Sequence, residues 1–171
     1  FGSASAAGAA GAHVHVHRVR REPRAAHTAI GTRIAVPRPA PAHFMGYARA
    51  DGRVGTRNYI GILTSVNCSA TVARRIAAHF ADQRLARFSH VDGVAAFTHQ
   101  SGCGMAKAGP GIASLRRTIG GYARHPNFGG VLIVSLGCEV NQVDPLLADQ
   151  GLEQGTALRV LGIQDEGGTM A

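Results

Sequence analysis

The chain has 171 residues, of which 45% are apolar, 16% charged and 5% aromatic, enough to bury one good core and too long for a miniprotein. Its longest clean apolar run centres on residues 131–134, far short of the roughly 20 residues a bilayer requires, so no membrane span is expected. The formal charge of +8 admits a polyanionic partner, but the basic residues are Arg with a single Lys, scattered through predicted helices and a linker, and three Tyr and six Phe give little to stack on bases; nucleic acid is not the partner this pattern favours.

In chain order, residues 1–12 are rich in Ala, Gly and Ser and read as a flexible lead without the charged and apolar regions of a signal peptide. His13 to Val19 alternates strictly, which predicts a half-buried strand with three His on one face. Their tips would stand about 7 Å apart along the strand, so a solvated face is favoured over a metal site. Residues 20–43 carry Pro23, Pro37, Pro39 and Pro41, which forbid a continuous helix or central strand and mark a linker. A globular domain is expected from Phe44 to the end of the sequence.

That domain opens on the charged turn Asp51 to Asn58. Either it is a surface hairpin, or Arg53 and Arg57 present planar guanidinium forks to a carboxylate or phosphate; residue types alone do not separate the two. A strand is predicted at 59–66, then Asn67-Cys68-Ser69 and a helix over 70–81 with Ser69 as its N-cap. A second strand, 93–98, leads through His99-Gln100-Ser101-Gly102-Cys103-Gly104 to a helix over 111–124. A third, 131–136, leads through Gly137-Cys138-Glu139-Val140-Asn141-Gln142 to a short helix ending at Gln150. A fourth, 157–163, runs into Gln164-Asp165-Glu166-Gly167-Gly168. Strands alternating with helices predict an α/β fold, a doubly wound parallel sheet with right-handed crossovers of the Rossmann or flavodoxin kind. Cys68, Cys103 and Cys138 each follow the carboxyl end of a strand, the edge where open α/β sheets bind ligands. They form an odd set without a close pair, which argues against a disulfide framework and for a reducing cytoplasm.

Gly46-Tyr47, the Asp51 to Asn58 turn, Ser65-Val66-Asn67-Cys68-Ser69, the His99 to Gly104 loop and Leu136 to Gln142, in this order and spacing, resemble the central domain of the altronate/galactarate dehydratase family over nearly all of 44–171. Residues 1–19 then look like the tail of the small N-terminal β-domain that precedes it, and the family's C-terminal domain lies beyond this sequence. The resemblance implies a hydro-lyase that removes water from an altronate- or galactarate-type acid to give a 2-keto-3-deoxy acid. It also implies Fe(II), replaceable by Mn(II), a cytoplasmic homo-oligomer, and a piece inactive by itself. Within the family, carbon–sulfur lysis of sulfolactate is the alternative; outside it, a non-catalytic module binding anions or nucleic acid.

Such an elimination needs a base for the proton alpha to the carboxylate, an acid for the departing hydroxyl and an electrophile for the enediolate. His99 titrates near neutrality and is an acid/base candidate. Glu139 is a base or ligand candidate, or else a helix-capping group. Cys103, counted with these two as catalytic, pairs with Cys138 as a candidate iron ligand, because thiolates bind iron well; lining the substrate or packing as small apolar groups are the other readings of the thiols. Asn67, Gln100, Asn141 and Gln142 suit sugar hydroxyls as neutral donors and acceptors. Arg53, Arg57, Asn58, Cys68, Ser69 and Ser101 complete the expected substrate contacts.

Overall fold

Apolar strands joined by amphipathic helices can bury both faces of a sheet only by covering each with helices, and that arrangement is seen in the computed structural model of the protein, which describes residues 39–81 and 84–170. The predicted strand at 13–19 and most of the linker lie outside the described residues. Residues Ala42–Ala171 form one compact unit. It begins with a two-stranded antiparallel ribbon, β1 (Tyr47–Ala48) and β2 (Val54–Gly55). A parallel four-stranded sheet follows, made of β3 (Tyr59–Thr64), β4 (Gly93–Phe97), β5 (Phe128–Ser135) and β6 (Leu158–Gly162) in the order β4-β3-β5-β6. The helices are α1 (Ala70–His79), α2 (Pro110–Ala123) and α3 (Val143–Gln150).

Alternation along the strands sorts the core into two layers, as a period of two dictates. Leu63, Val131, Ile133 and Leu158 pack with Ile119 of α2 and Leu146 and Leu147 of α3 on one face. Ile62, Val134 and Ile163 pack with Ala73 of α1 on the other. Ile133 and Leu146 are fully buried, each stabilising the fold by about 2 kcal/mol relative to exposure.

Two boundaries differ from the sequence expectation for a physical reason. β5 begins at Phe128 instead of Val131, because Gly129-Gly130 continue the ladder after an irregularity at Tyr59/Ile60, and the Phe128 ring fills the space left by the absent side chain of Gly61. β3 stops at Thr64, since the chain turns into a 3₁₀ segment at Asn67–Ser69. Ser69 occupies the expected position before α1, yet its hydroxyl makes no cap; it donates instead within reach of the carbonyl oxygens of Val66 (2.9 Å) and Val134 (2.8 Å).

The chain leaves β3 toward β4 at one edge, crosses back through α2 to β5 on the other side of β3, and proceeds outward to β6. The winding therefore reverses between β3 and β5, and the crevice beyond the carboxyl ends of those two strands is the expected ligand position of such a sheet.

Candidate active site

Four loops leave the carboxyl edge of the sheet, and backbone hydrogen bonds bind them to one another. Asn67 donates its N–H to Ser101 O (2.8 Å), Asn141 to Gly102 O (3.0 Å), and Gln164 to Leu136 O (3.0 Å). The loops after β3, β4 and β5 thus form one tied unit, to which the loop after β6 is joined. Gly102 makes the first closure feasible: its φ is +102°, and a methyl group there would stand 2.5 Å from Ser65 O and 2.8 Å from the Cα of Val66.

Beneath this rim lies a buried polar frame. Glu139, only 3% exposed, accepts hydrogen bonds from Ser65 Oγ (2.6 Å), Gly137 N (2.6 Å) and Leu136 N (3.3 Å). Burial pushes its carboxyl pKa up, but the Ser65 hydroxyl and the backbone N–H groups of Glu139, Gly137 and Leu136 outweigh it and hold the group below its ordinary value. Asn141, also buried, donates to Ser65 O (2.9 Å) and accepts from Arg116 Nε (3.0 Å), while Arg116 pairs with Asp149. Ser65 joins both branches, so one serine after β3 couples the β5 loop to helices α2 and α3.

Cys68, Cys103 and Cys138 are all unpaired and exposed on this rim. The Cys68 thiol adjoins Cys103 and feels the charge of Cys138. Desolvation first, then the Cys103 charge and hydrogen bond, then the Cys138 charge, hold it above its ordinary pKa. Gln164 Nε2 donates to Cys138 Sγ (3.4 Å). The three cysteines thus sit on loops that leave the same, carboxyl edge of the sheet and are tied to one another by backbone hydrogen bonds. They do not form a single-ion site: among the described residues no three His, Cys, Asp or Glu side chains are placed to hold a metal ion. The mononuclear iron implied for Cys103 and Cys138 therefore finds no closed ligand set in these residues.

Of the other expected site residues, Asn67, Gln100 and Ser101 are exposed on the rim. Gln142 is exposed too, but its amide nitrogen donates to Gly137 O (3.0 Å) and Glu139 O (2.6 Å) and so fastens its own loop. Ser69 and Asn141 are buried with their polar atoms engaged, which turns them from hydroxyl-binding groups into framework. Glu139 has both oxygens occupied by donors, an arrangement that suits loop fixation better than proton abstraction. His99 donates from Nε2 to Thr64 O (3.0 Å) and accepts the Ser101 N–H at Nδ1 (3.2 Å). This tautomer, fixed by a carbonyl on one side and an N–H on the other, leaves neither ring nitrogen free for acid/base work.

Arg53, Arg57 and Asn58 stand elsewhere. They precede β3 and lie at the amino edge of the sheet, where Asn58 bonds Asp92 (2.5 Å) and His90 O (2.6 Å), and Arg53 pairs with Asp51. The six residues of β3 put about 20 Å between this edge and the thiol rim. The Arg53–Asp51 pair is exposed; its hydrogen bond lowers the Asp51 pKa and raises that of Arg53. The expectation that these residues share one wall with the thiols is corrected accordingly: a turn entering a parallel strand and a loop leaving it cannot meet within one layer.

Three contributors went unnoticed among the site candidates: Ser65, Arg116 and Gln164. Ser65 carried a signal, since it follows a strand within the motif around Cys68. Arg116 carried none, because its partners Asn141 and Asp149 are distant in sequence. A recess of about 410 Å³, lined by no cysteine, lies between α1, β6 and the loop after β6, with Ile76, Phe80, Leu161, Ile163 and Gly168 among its walls. No helix among the described residues is long and apolar enough to cross a membrane.

Residues 46–171 match the family model described as D-galactarate dehydratase/altronate hydrolase, second domain. The chain is 40% identical over 97 residues, 57% of its length, to an altronate dehydratase of Escherichia coli (strain K12), of which that match covers 19%. It is 38% identical over 139 residues, 77% of its length, to a galactarate dehydratase (L-threo-forming) of the same strain, covering 27% of it. An altronate dehydratase of Bacillus subtilis (strain 168) is 30% identical over 126 residues, 72% of this chain and 25% of that protein. The chain thus spans between about a fifth and about a quarter of the length of these curated relatives. No solved structure matches it significantly.

Proposed function

Because the chain belongs to the D-galactarate dehydratase/altronate hydrolase family, carrying its second domain, we propose that it forms one wall of a hydro-lyase site. That site removes water from a sugar acid of the altronate or galactarate type and releases a 2-keto-3-deoxy acid. The observation that carries this reading is the meeting of three exposed thiol loops at the switch point of the sheet.

The division of labour follows from what each residue has free. Asn67, Gln100 and Ser101 offer exposed donors and acceptors to substrate hydroxyls, and the hydrogen bond between the backbones of Asn67 and Ser101 fixes their separation. The Ser65, Glu139, Asn141 and Arg116 frame keeps the rim from relaxing, so that ordering energy is spent on folding and not at each turnover. His99 orients the Ser101 turn.

The test is an anaerobic assay of the intact enzyme, with iron, against a panel of aldonates, aldarates and sulfolactate. A 2-keto-3-deoxy product from at least one sugar acid is expected, and no keto acid from any would remove the dehydratase reading. Arg53→Ala, at the far edge of the sheet, should leave kcat/KM within about twofold and the urea midpoint close to the parent's, because its ion pair with Asp51 is solvent-exposed.

A further inference from the structure

Parallel strands lose their ladder where the chain turns out of the sheet, and the last paired residues of β3 and β4 are Leu63 and Phe97. Beyond that pair a side chain continues the connection. The His99 ring donates from Nε2 to Thr64 O (3.0 Å) and accepts the Ser101 N–H at Nδ1 (3.2 Å), and the Asn67 N–H closes the circuit on Ser101 O (2.8 Å). Residues 64–67 and 99–101 therefore form one hydrogen-bonded ring, braced by a rigid, planar imidazole. The imidazole is half-buried, whereas Asn67, Gln100 and Ser101, which the ring carries, are exposed.

The chemistry of this stretch is neutral. Apart from His99 itself, residues 64–73 and 98–106 contain no Asp, Glu, Lys or Arg, and the carboxylate of Glu139 is engaged inward. A substrate carboxylate seeks a cation, and proton abstraction needs a titratable base; amide and hydroxyl groups supply neither. They do combine donor and acceptor, as a sugar hydroxyl does. Three such groups held at fixed separation read the configuration of a hydroxyl, because an inverted carbon directs it away from them and leaves a polar group unmatched.

We propose that this ring is a subsite for the substrate hydroxyls remote from the carboxylate and the reacting carbons, and that His99 is the positioning residue that gives it stereochemical specificity. The proposal rests on the dehydratase reading for the class of acid alone. His99 touches no reacting atom: it acts through the Ser101 turn, which carries Gln100, and through its tie to Thr64.

The experiment uses the intact enzyme and two pairs of acids, altronate with idonate and galactarate with glucarate, whose members differ only in configuration at the fourth carbon. Both kcat/KM and the calorimetric Kd are measured for each acid. The parent should prefer one member of at least one pair by about tenfold or more, the worth of one well-placed hydrogen bond. His99→Ala should bring that ratio to within about twofold, because the readers lose their fixed separation. His99→Asn, whose amide oxygen still accepts the Ser101 N–H as in an Asx-turn, should keep most of the preference. Gln100→Ala removes one exposed reader without touching the ring, and should narrow the same ratio at an unchanged urea midpoint. A ratio unchanged in His99→Ala and Gln100→Ala, with kcat/KM lowered equally for both members, would overturn the subsite. So would equal affinity of the parent for the members of both pairs, or a fall in kcat of about a hundredfold or more for both members in His99→Ala, the mark of a lost acid or base. Discrimination in binding that behaves as expected in an enzyme yielding no keto acid would leave the subsite standing and remove the dehydratase reading.

Discussion

Replacing Gly102 by Ala should unfold or disable the rim. The residue sits at φ +102°, where L side chains are disfavoured by roughly 1–2 kcal/mol. The added carbon would also meet Ser65 O and the Val66 Cα at 2.5 and 2.8 Å, and both are backbone atoms that no rotamer change can move aside. The two costs together amount to about 3 kcal/mol or more of lost stability. The clash relaxes by pushing the β4 loop off the β3 loop, which breaks the Asn67–Ser101 and Asn141–Gly102 hydrogen bonds and carries Cys103 with it. A displacement near 1 Å would lower kcat on the order of 10²-fold. Urea unfolding and steady-state kinetics check both effects. Gly104→Ala, with open space around it, should leave stability and turnover close to those of the parent, and equal damage at the two positions would refute the backbone argument.

Glu139 is expected to produce the second large effect. Its carboxylate satisfies Ser65 Oγ and the Gly137 and Leu136 N–H groups inside the protein, and a hydrogen bond to a charged group is worth about 1.5–3 kcal/mol. Glu139→Ala leaves three donors unsatisfied and should destabilise by about 3 kcal/mol. In Glu139→Gln one oxygen becomes an NH₂ that faces a donor, at a cost of about 2 kcal/mol. The native pKa lies below the ordinary carboxylate value of 4.5, so the group's contribution is complete above the unfolded pKa. It is lost as the pH falls through the lowered native pKa. The difference in unfolding free energy between the parent and Glu139→Gln should therefore be constant near neutrality and shrink on acidification below about pH 4. A difference that grows toward low pH would mean that the carboxylate is not held as described.

Much of this architecture was legible before any coordinates, and the reasons are local. The apolar segments around Ile62, Ala95, Ile133 and Val160, each followed by a helix-forming stretch, have the period and length of alternating strands and helices, so the parallel sheet follows from pattern alone. The position of Cys68, Cys103 and Cys138 at one edge follows from the sheet rule, because each comes directly after a strand. The same rule, with its sign reversed, puts Arg53, Arg57 and Asn58 at the opposite edge, because they come before one. Grouping them with the thiols by motif order ignored that consequence.

What was hidden is the direction in which polar side chains turn. Glu139, Asn141 and Ser69 are of types that serve equally well for binding a substrate or for tying loops, and the choice depends on the burial of Ser65 and Val134, which are close to them only in three dimensions. Arg116 lies in the middle of α2 with nothing near it in sequence to mark it, yet it connects Asn141 to Asp149. His99 has the residue type of a catalyst and the hydrogen bonds of a turn.

The central claim is that the three thiol loops form a single ligand-binding wall, and competitive alkylation of the intact enzyme tests it most directly. Labelling rates at Cys68, Cys103 and Cys138 would be read by peptide mass spectrometry, with and without a sugar acid that the enzyme turns over. The account predicts that the sugar acid protects all three together, by at least tenfold. Protection of one cysteine alone, or unchanged labelling at all three during turnover, would contradict it.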